Sequence, residues 1–97
     1  MPLVLYAKRA DADIDRIVAF TRATWNQEQA EKYLDGLVDT LYLLAAQPLM
    51  GRASSVKKPT WRRFEYVSHV IVYQPVRGGI KVQRVMHMHQ LLNRAIR

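Results

Sequence analysis

The chain has 97 residues, no cysteine and a formal net charge of +7. This length predicts a single domain over residues 1–97, and the lack of cysteine excludes disulfide bonds and thiolate metal sites. No apolar run approaches the roughly 18 residues that a membrane span needs, and the N-terminus lacks the basic region of a signal peptide. We therefore expect a cytoplasmic protein.

Positive charge is concentrated in the second half of the sequence. Residues 51–97 hold ten basic side chains and one acid, whereas residues 1–50 hold five bases and seven acids, so the two halves carry +9 and −2. The basic half is also the part that predicts most of a sheet. We therefore expect a positively charged sheet whose partner is nucleic acid, an acidic protein segment or both.

The first half begins with a strand and a helix. Residues 2–7 form a short apolar run that contains proline, a residue that suits the start of a strand or a sheet edge. Acids at positions 11, 13 and 15 indicate a helix start within residues 10–15, because negative charge suits the positive end of the helix dipole. Apolar residues then recur at steps of three and four as far as Trp25, which predicts the first helix.

A second helix follows after a turn of two or three residues. Asn26 and Gln29 have the spacing of a capping box, and an apolar stripe extends to Pro48, which should end the helix shortly after Ala46. Gly36 lies in the middle of this helix, where glycine lowers stability by about 1 kcal/mol relative to alanine. We expect this glycine to permit a close approach of the two helices.

The second half predicts a loop followed by three strands. Residues 48–60 have no periodicity and contain glycine, prolines, serines and bases, which indicates an exposed loop. Residues 69–76 are nearly all β-branched or aromatic, which is typical of a central strand covered on both faces. The strands are expected at 61–66, 69–76 and 80–88, with turns at 67–68 and 77–79. Residues 91–97 predict either a helical turn or an extension.

These elements predict an α+β fold of order β-α-α-β-β-β. The helical hairpin should pack its apolar stripes on one face of a small, antiparallel-rich sheet. Burial of the large apolar side chains of the second helix should supply a dominant share of the hydrophobic stabilisation.

Five segments occur in an order and at a spacing that resemble one protein family. They are ADIDxI at 12–17, WNxxQA at 25–30, LAxxPxxGR at 44–52, SHVIVY at 68–73 and RVMH at 84–87. This set resembles the ParE branch of the RelE/ParE superfamily, the toxins of type II toxin–antitoxin modules. The sequence departs from the family pattern at Asn26, where glycine is common, and at residues 87–90 (HMHQ), which lack the usual acid.

The resemblance implies the same β-α-α-β-β-β fold and one of two activities. ParE-like toxins poison DNA gyrase and RelE-like toxins cut mRNA in the ribosome, and in both cases an antitoxin segment folds along the toxin surface and silences it. We therefore expect a toxin that binds and poisons gyrase, is not itself an enzyme, and is neutralised by an acidic ParD-like antitoxin. The alternatives are a ribosome-dependent endoribonuclease and a nucleic-acid-binding module without toxicity.

Six residues of the basic half are candidates for partner binding. They are Lys57, Lys58, Trp61, Arg62, Arg63 and Arg84. The two lysines belong to the exposed loop, and Trp61 beside them suits stacking on a base, anchoring a partner chain or packing on the sheet. Arg62 and Arg63 should point to opposite faces of a strand, so at least one of them is exposed.

Arg84 is the most informative of the candidates. Strand alternation places it on one face with Ile80, Val82 and Met86, where a guanidinium group needs a partner. That partner is either Glu65 on a neighbouring strand or a group of another molecule.

The endoribonuclease alternative rests on histidines near the end of the chain. Metal-independent RNA cleavage needs a base, an acid and cations on the phosphate, which His87, His89 and Arg84 would supply. The other interpretation is that both histidines end a strand and form local hydrogen bonds, and for His69 we favour a turn or core hydrogen bond. No metal-ligand spacing and no glycine-rich phosphate loop occur, so we expect neither a metal nor another cofactor.

Overall fold

The computed structural model describes residues 2–54 and 58–89, which form two helices and five strands. In chain order they are β1 (Leu3–Tyr6), α1 (Lys8–Thr24), α2 (Gln27–Ala46), β2 (Arg52–Ala53), β3 (Arg62–Tyr66), β4 (His69–Val76) and β5 (Gly79–His87). The predicted α+β class and the order of helices and strands are confirmed. The structure adds β2, a two-residue strand inside the segment 48–60 that was expected to be loop only.

The five strands form one sheet in the order β1-β5-β4-β3-β2. Neighbouring strands are antiparallel except β1 and β5, which are parallel and are joined by a long connection that contains both helices and β2–β4. β4 is the middle strand, as its nearly continuous apolar sequence predicts. No helix among the described residues combines the length and apolar character that a membrane crossing needs.

The two helices begin differently at their N-termini. Asn26 caps α2 as predicted, because its side chain accepts a hydrogen bond from the Gln29 N–H at 2.9 Å. By contrast, α1 begins at Lys8, earlier than expected, and Ala7 provides no side-chain cap. This earlier start leaves Asp13 beyond the first turn, on the buried stripe of α1.

The main hydrophobic core lies between the helices and one face of the sheet. The large α2 side chains in it pack against alternate residues of the central strands, such as Ile71 and Val82. A smaller apolar cluster of Val70, Val72 and Met86 covers the opposite face of the sheet, which we call the outer face. The α2 residues of the main core are Tyr33, Leu37, Leu41, Leu44 and Ala45.

Gly36 makes room for a strand side chain and not for the other helix, so the predicted reason for this glycine is wrong. A Cβ atom at Gly36 would overlap the hydroxyl oxygen of Tyr66, which lies on β3. That hydroxyl donates a hydrogen bond to the Tyr33 carbonyl oxygen at 2.8 Å. The glycine therefore allows Tyr66 to bind the α2 backbone.

Replacement of Gly79 tests the packing of the parallel edge strand. Leu3 lies opposite Gly79 and donates its N–H to the Gly78 carbonyl oxygen at 2.8 Å, and a Cβ at Gly79 would overlap the Leu3 backbone. We expect Gly79→Ala to lower the free energy of unfolding by about 2–3 kcal/mol, measured by urea denaturation. The control is Gly78→Ala, which has open space but a φ of +86° and should cost about 1 kcal/mol. Equal losses in the two variants would contradict this packing.

Candidate functional site

The outer face of the sheet carries several of the basic side chains of the second half. Arg52, Arg63 and Val72 lie opposite one another on neighbouring strands, so their side chains share this face. Lys81 also lies on it, because Ile80 and Val82 on either side belong to the main core. The sheet surface away from the helices is therefore positively charged, with an apolar centre.

Trp61 and Lys58 form one unit at the border of the outer face. Trp61 packs against the cluster of Val70, Val72 and Met86, and the Lys58 ammonium nitrogen lies 3.9 Å from the centre of its ring. Such a cation–π contact is worth about 0.5–1 kcal/mol at an exposed site. Trp61 thus packs on the sheet, and Lys58 remains exposed. The neighbouring candidate Lys57 lies outside the described residues.

Arg63 lies on the outer face with part of its guanidinium unsatisfied. Its Nε atom is buried and has no hydrogen-bond partner in the part of the chain that the structure describes. The neighbouring Arg52 already forms an exposed ion pair with Glu65 at 3.0 Å. An exposed pair of this kind contributes about 0–1 kcal/mol and breaks readily when a stronger partner arrives.

Arg62 forms hydrogen bonds within the chain. Its guanidinium donates hydrogen bonds to the carbonyl oxygens of Gly51 at 2.5 Å and Leu49 at 3.3 Å. Tyr73, which is fully buried, holds the same segment, because its hydroxyl donates to the Pro48 carbonyl oxygen and accepts the Gly51 N–H, both at 2.8 Å. Burial raises the pKa of the Tyr73 hydroxyl. Both side chains therefore anchor the segment after α2 to the sheet.

Arg84 binds Asp13 of α1 and not Glu65, which was one of the two alternatives expected for it. The Arg84 Nε and Nη2 atoms donate to the two carboxylate oxygens of Asp13 at 2.7 and 3.1 Å. Asp13 also accepts the Val85 N–H at 2.9 Å and a hydrogen bond from Arg16 at 2.7 Å. Only 13% of the Arg84 side chain and 3% of the Asp13 side chain are exposed.

Arg84 shares a face with Met86 as predicted but not with Ile80 and Val82, because the pairing of β4 and β5 shifts by one residue. Tyr73 lies opposite Val82 but Val72 lies opposite Arg84, so β5 has one extra residue between these pairs. Such a bulge reverses the alternation beyond it. As a result Val82 belongs to the main core and Met86 to the outer cluster.

The ion pair between Asp13 and Arg84 shifts the protonation of both groups. Burial alone would raise the pKa of the Asp13 carboxyl, but hydrogen bonds from Arg84 and the Val85 N–H outweigh it and hold the pKa below its ordinary value. The same hydrogen bond raises the pKa of Arg84. Arg84 Nη1 is buried without a hydrogen-bond partner among the described residues. The pair is thus fully ionised at neutral pH.

His87 and His89 do not share a strand face, because β5 ends at His87 and the next two residues continue as a helical turn. Their rings stack with centroids 5.0 Å apart, and the His89 N–H donates to His87 Nδ1 at 3.1 Å. The structure thus has the local hydrogen bond that was the alternative to a catalytic pair.

His69 forms a core hydrogen bond, as predicted. Its Nδ1 atom lies 2.5 Å from the hydroxyl oxygen of Tyr33, which also has a hydrogen bond with the Ser68 backbone. Burial, and then the neighbouring ring of His87 at 5.3 Å, lower the pKa of His69. No group of three His, Cys, Asp or Glu side chains in residues 2–54 and 58–89 is arranged to hold a metal ion.

Asp13 was missed as a site residue, although the sequence contains a signal for it. The Asp13 carboxylate is expected from the sequence to interact with the helix dipole. Asp13 nevertheless lies on the same stripe as Ala10, Ile17 and Thr21, all of which are buried. An acid at a core position needs a cationic partner. That reasoning would have predicted a buried ion pair, though not that Arg84 supplies the cation.

Sequence comparison places the chain among toxins. A model of the family described as "ParE toxin of type II toxin-antitoxin system, parDE" matches residues 4–92. The chain is 33% identical to Toxin ParE1 of Caulobacter vibrioides over 87 residues, which cover 90% of this chain and 88% of that protein. It is also 33% identical to Toxin ParE1 of Mycobacterium tuberculosis over 91 residues, which cover 93% of each.

A solved structure has the same fold. It is a chain from the chromosomal ParDE TA system of P. aeruginosa, which superposes with a TM-score of 0.70 and covers 90% of this chain and 96% of its own length. The two sequences are 23% identical, so this likeness speaks for the fold alone.

Variants of Asp13 and Arg84 test the buried ion pair. We expect Asp13→Ala to lower the free energy of unfolding by about 3–5 kcal/mol, because it leaves the Arg84 charge buried without a counter-charge. The double variant Asp13→Ala/Arg84→Met leaves no unpaired charge. Its loss of unfolding free energy should therefore be much smaller than the sum of the losses in the two single variants. The measurement is a double-mutant cycle by urea denaturation, with Asp15→Ala on the exposed face of α1 as control. Additive losses would contradict the pairing.

Stability should fall in acid because of the same carboxylate. The pKa of Asp13 is lower in the folded chain than its ordinary value of 3.8, so its contribution is fully present above about pH 4 and is lost as pH falls towards the folded pKa. The measurement is the urea midpoint of the wild type and of Asp13→Asn between pH 7 and pH 3. The wild type should lose more stability below pH 4 than the variant, and parallel curves would contradict the assignment.

Proposed function

The chain belongs to the ParE toxin family of type II toxin–antitoxin systems, and from that membership we propose that it inhibits growth by binding and poisoning DNA gyrase in the cytoplasm. We further propose that a cognate ParD-like antitoxin neutralises it. The observation that carries the proposal is the family match over residues 4–92 together with two ParE1 relatives that cover about nine-tenths of the chain.

The outer face is our proposed contact surface for the target. Of the six candidate residues, Arg62 and Arg84 are occupied by internal hydrogen bonds. Arg63, Lys58 and Trp61 remain, around an apolar centre of the kind that interfaces bury. Lys57 stays a candidate through its position beside Lys58 in the sequence.

Exposed apolar side chains support a second partner that covers the toxin when it is inactive. Leu3 and Leu5 on the edge strand β1, Phe20 on α1 and Val38 on α2 are all large and exposed. An amphipathic antitoxin segment that folds on binding would bury such groups, and acids in it would suit the positive charge of the chain.

The endoribonuclease alternative is the weaker one, because its proposed groups are occupied. Arg84 would have to bind phosphate, yet its guanidinium is bound to the buried Asp13 carboxylate. His87 would have to exchange protons with RNA, yet its Nδ1 accepts a backbone hydrogen bond. The helices do not support the alternative of a non-toxic nucleic-acid-binding module, because they belong to the acidic half of the chain.

A supercoiling assay tests the gyrase proposal. We expect the purified protein to inhibit supercoiling of relaxed plasmid and to increase the broken DNA recovered after denaturing gyrase. Lys58→Glu, which reverses a charge on the outer face, should weaken the effect by about ten-fold or more, since close opposite charges across an interface are worth over 1 kcal/mol. The control is Arg22→Glu, the same change of charge on exposed α1.

Two results would count against the proposal. Growth inhibition with intact supercoiling and no broken DNA would exclude gyrase as the target. Cleavage of transcripts on translating ribosomes, abolished by replacing both His87 and His89 with alanine, would favour the endoribonuclease.

A further inference from the structure

The acidic side chains of the chain lie almost entirely on the helices. Of the eight acids, seven belong to α1 and α2, which pack on the face of the sheet opposite the outer face. The eighth, Glu65, lies on β3 and pairs with Arg52 at 3.0 Å. A polyanion that approaches the outer face therefore meets one carboxylate, and a cation already neutralises it. The seven are Asp11, Asp13 and Asp15 on α1 and Glu28, Glu31, Asp35 and Asp39 on α2.

A band of hydrogen-bond donors crosses the outer face from β2 to β5. Arg52 of β2 lies opposite Arg63 of β3, and Gln74 of β4 lies opposite Lys81 of β5. Lys58 lies beside them, over the ring of the residue that precedes β3. Neighbouring strands are about 4.8 Å apart, so the band is about 14 Å wide. Duplex DNA carries a phosphate about every 3.4 Å along each strand, so this width matches about four phosphates.

Three of these cations have bonding capacity that the chain does not use. Neither Lys58 nor Lys81 forms an ion pair within residues 2–54 and 58–89. Arg63 is half-buried, and its Nε atom has no hydrogen-bond partner in the same part of the chain. A guanidinium group that lacks an internal partner favours an anionic partner outside the chain, and phosphate suits its planar geometry.

Contacts with neighbouring side chains hold two further donors of the band in position. The ammonium nitrogen of Lys58 lies 3.9 Å from the centre of the Trp61 ring. The Gln74 side-chain oxygen accepts a hydrogen bond from Gln83 at 3.3 Å, and this contact does not use the Gln74 amide N–H groups. Donors that are already oriented lose less conformational entropy when an anion binds.

We propose that the outer face binds the phosphate backbone of duplex DNA, held by Lys58, Arg63 and Lys81. The inference rests on the proposed function for its setting, in which this DNA is the segment that gyrase holds, and it adds the molecule that the face contacts. A toxin that contacts both the enzyme and its DNA stabilises the states in which the two stay together.

A phosphate backbone fits the outer face better than a protein segment does. The apolar residues at its centre already pack against Trp61 and Met88, and Val70 and Val72 are only 1% and 6% exposed. The large apolar side chains that stay exposed lie on α1, α2 and the edge strand β1, for example Phe20 on α1. A protein segment that folds on binding needs apolar surface to bury, whereas a phosphate backbone needs cations and N–H donors.

The same face favours duplex DNA over a single strand, and it favours binding that does not depend on sequence. Proteins that bind single strands stack bases on aromatic rings, but Lys58 lies over the Trp61 ring and the ring contacts the apolar cluster. Base reading in the major groove uses a helix or a two-stranded ribbon, and both helices lie on the opposite face of the sheet. The backbone is therefore the expected contact.

The test measures binding of the purified protein to a fluorescently labelled duplex of about 20 base pairs, by anisotropy and without gyrase. Three phosphate contacts predict that the logarithm of affinity falls with the logarithm of salt concentration at a slope of about −2.7. Affinity should therefore fall by about 40-fold between 50 and 200 mM salt. Two duplexes of unrelated sequence should bind alike.

Single substitutions identify the surface that binds. Lys81→Gln and Lys58→Gln should each weaken binding and reduce the steepness of the salt dependence by about 1. Lys81→Arg, which keeps the charge, should bind as the wild type does. The matched control Lys32→Gln removes the same charge from an exposed position on α2 and should leave the slope unchanged. Thermal unfolding of each variant separates lost binding from lost folding.

The outcomes separate this inference from the proposed function. If the wild type does not bind the duplex at 50 mM salt, or if both outer-face variants bind as Lys32→Gln does, the DNA inference is overturned, and the supercoiling assay still decides the gyrase proposal. If the duplex binds as expected but supercoiling stays intact, the gyrase proposal fails and the DNA contact stands. If single-stranded RNA of equal length binds more tightly and depends on Lys81 in the same way, the assignment to duplex DNA is wrong.

Discussion

The fold depends on the side chain of Asp13, which binds the edge of β5 beyond the end of β1. β1 pairs with β5 only as far as Val82, whose carbonyl oxygen accepts the Ala7 N–H before the chain enters α1. Beyond that point no strand of residues 2–54 and 58–89 lies beside this edge of β5, and Asp13 binds the Val85 N–H instead. The same carboxylate neutralises Arg84, which would otherwise be a buried unpaired cation. This contact fixes α1 against the end of the sheet.

Contacts within the chain also occupy two of the candidate cations. Arg84 is held by Asp13, and Arg62 is held by backbone carbonyl oxygens of the segment after α2. Arg63 and Lys58 remain on or beside the outer face, next to Trp61. Internal pairs therefore hold the elements together, and under the proposed function the remaining cations are the ones that attract anionic partners. A toxin that acts by binding needs only the second set to be accessible.

The sequence predicted those features that depend on local pattern. The run of β-branched and aromatic residues identified β4 with its observed limits, and the capping residue Asn26 and the breaker Pro48 bounded α2 to within two residues. Each of these signals acts within a few residues of the chain, so no knowledge of the tertiary structure was needed.

The features that were missed arise from contacts between distant parts of the chain. Asp13 and Arg84 are 71 positions apart, and one extra residue in β5 moved Arg84 out of the expected alternation. The partner of Gly36 is Tyr66 on a strand, which no helical pattern can reveal. His87 and His89 do not share a strand face as expected, because β5 ends one residue earlier than its sequence suggests.

The most direct test of this account is detection of the hydrogen bond between Val85 and Asp13 in solution. A long-range NMR experiment on isotope-labelled protein measures scalar coupling across a hydrogen bond, here from the Val85 amide nitrogen to the Asp13 side-chain carboxyl carbon. We predict a measurable coupling and slow exchange of the Val85 amide proton with water. Absence of the coupling, with exchange as fast as that of an unpaired edge amide, would contradict the account.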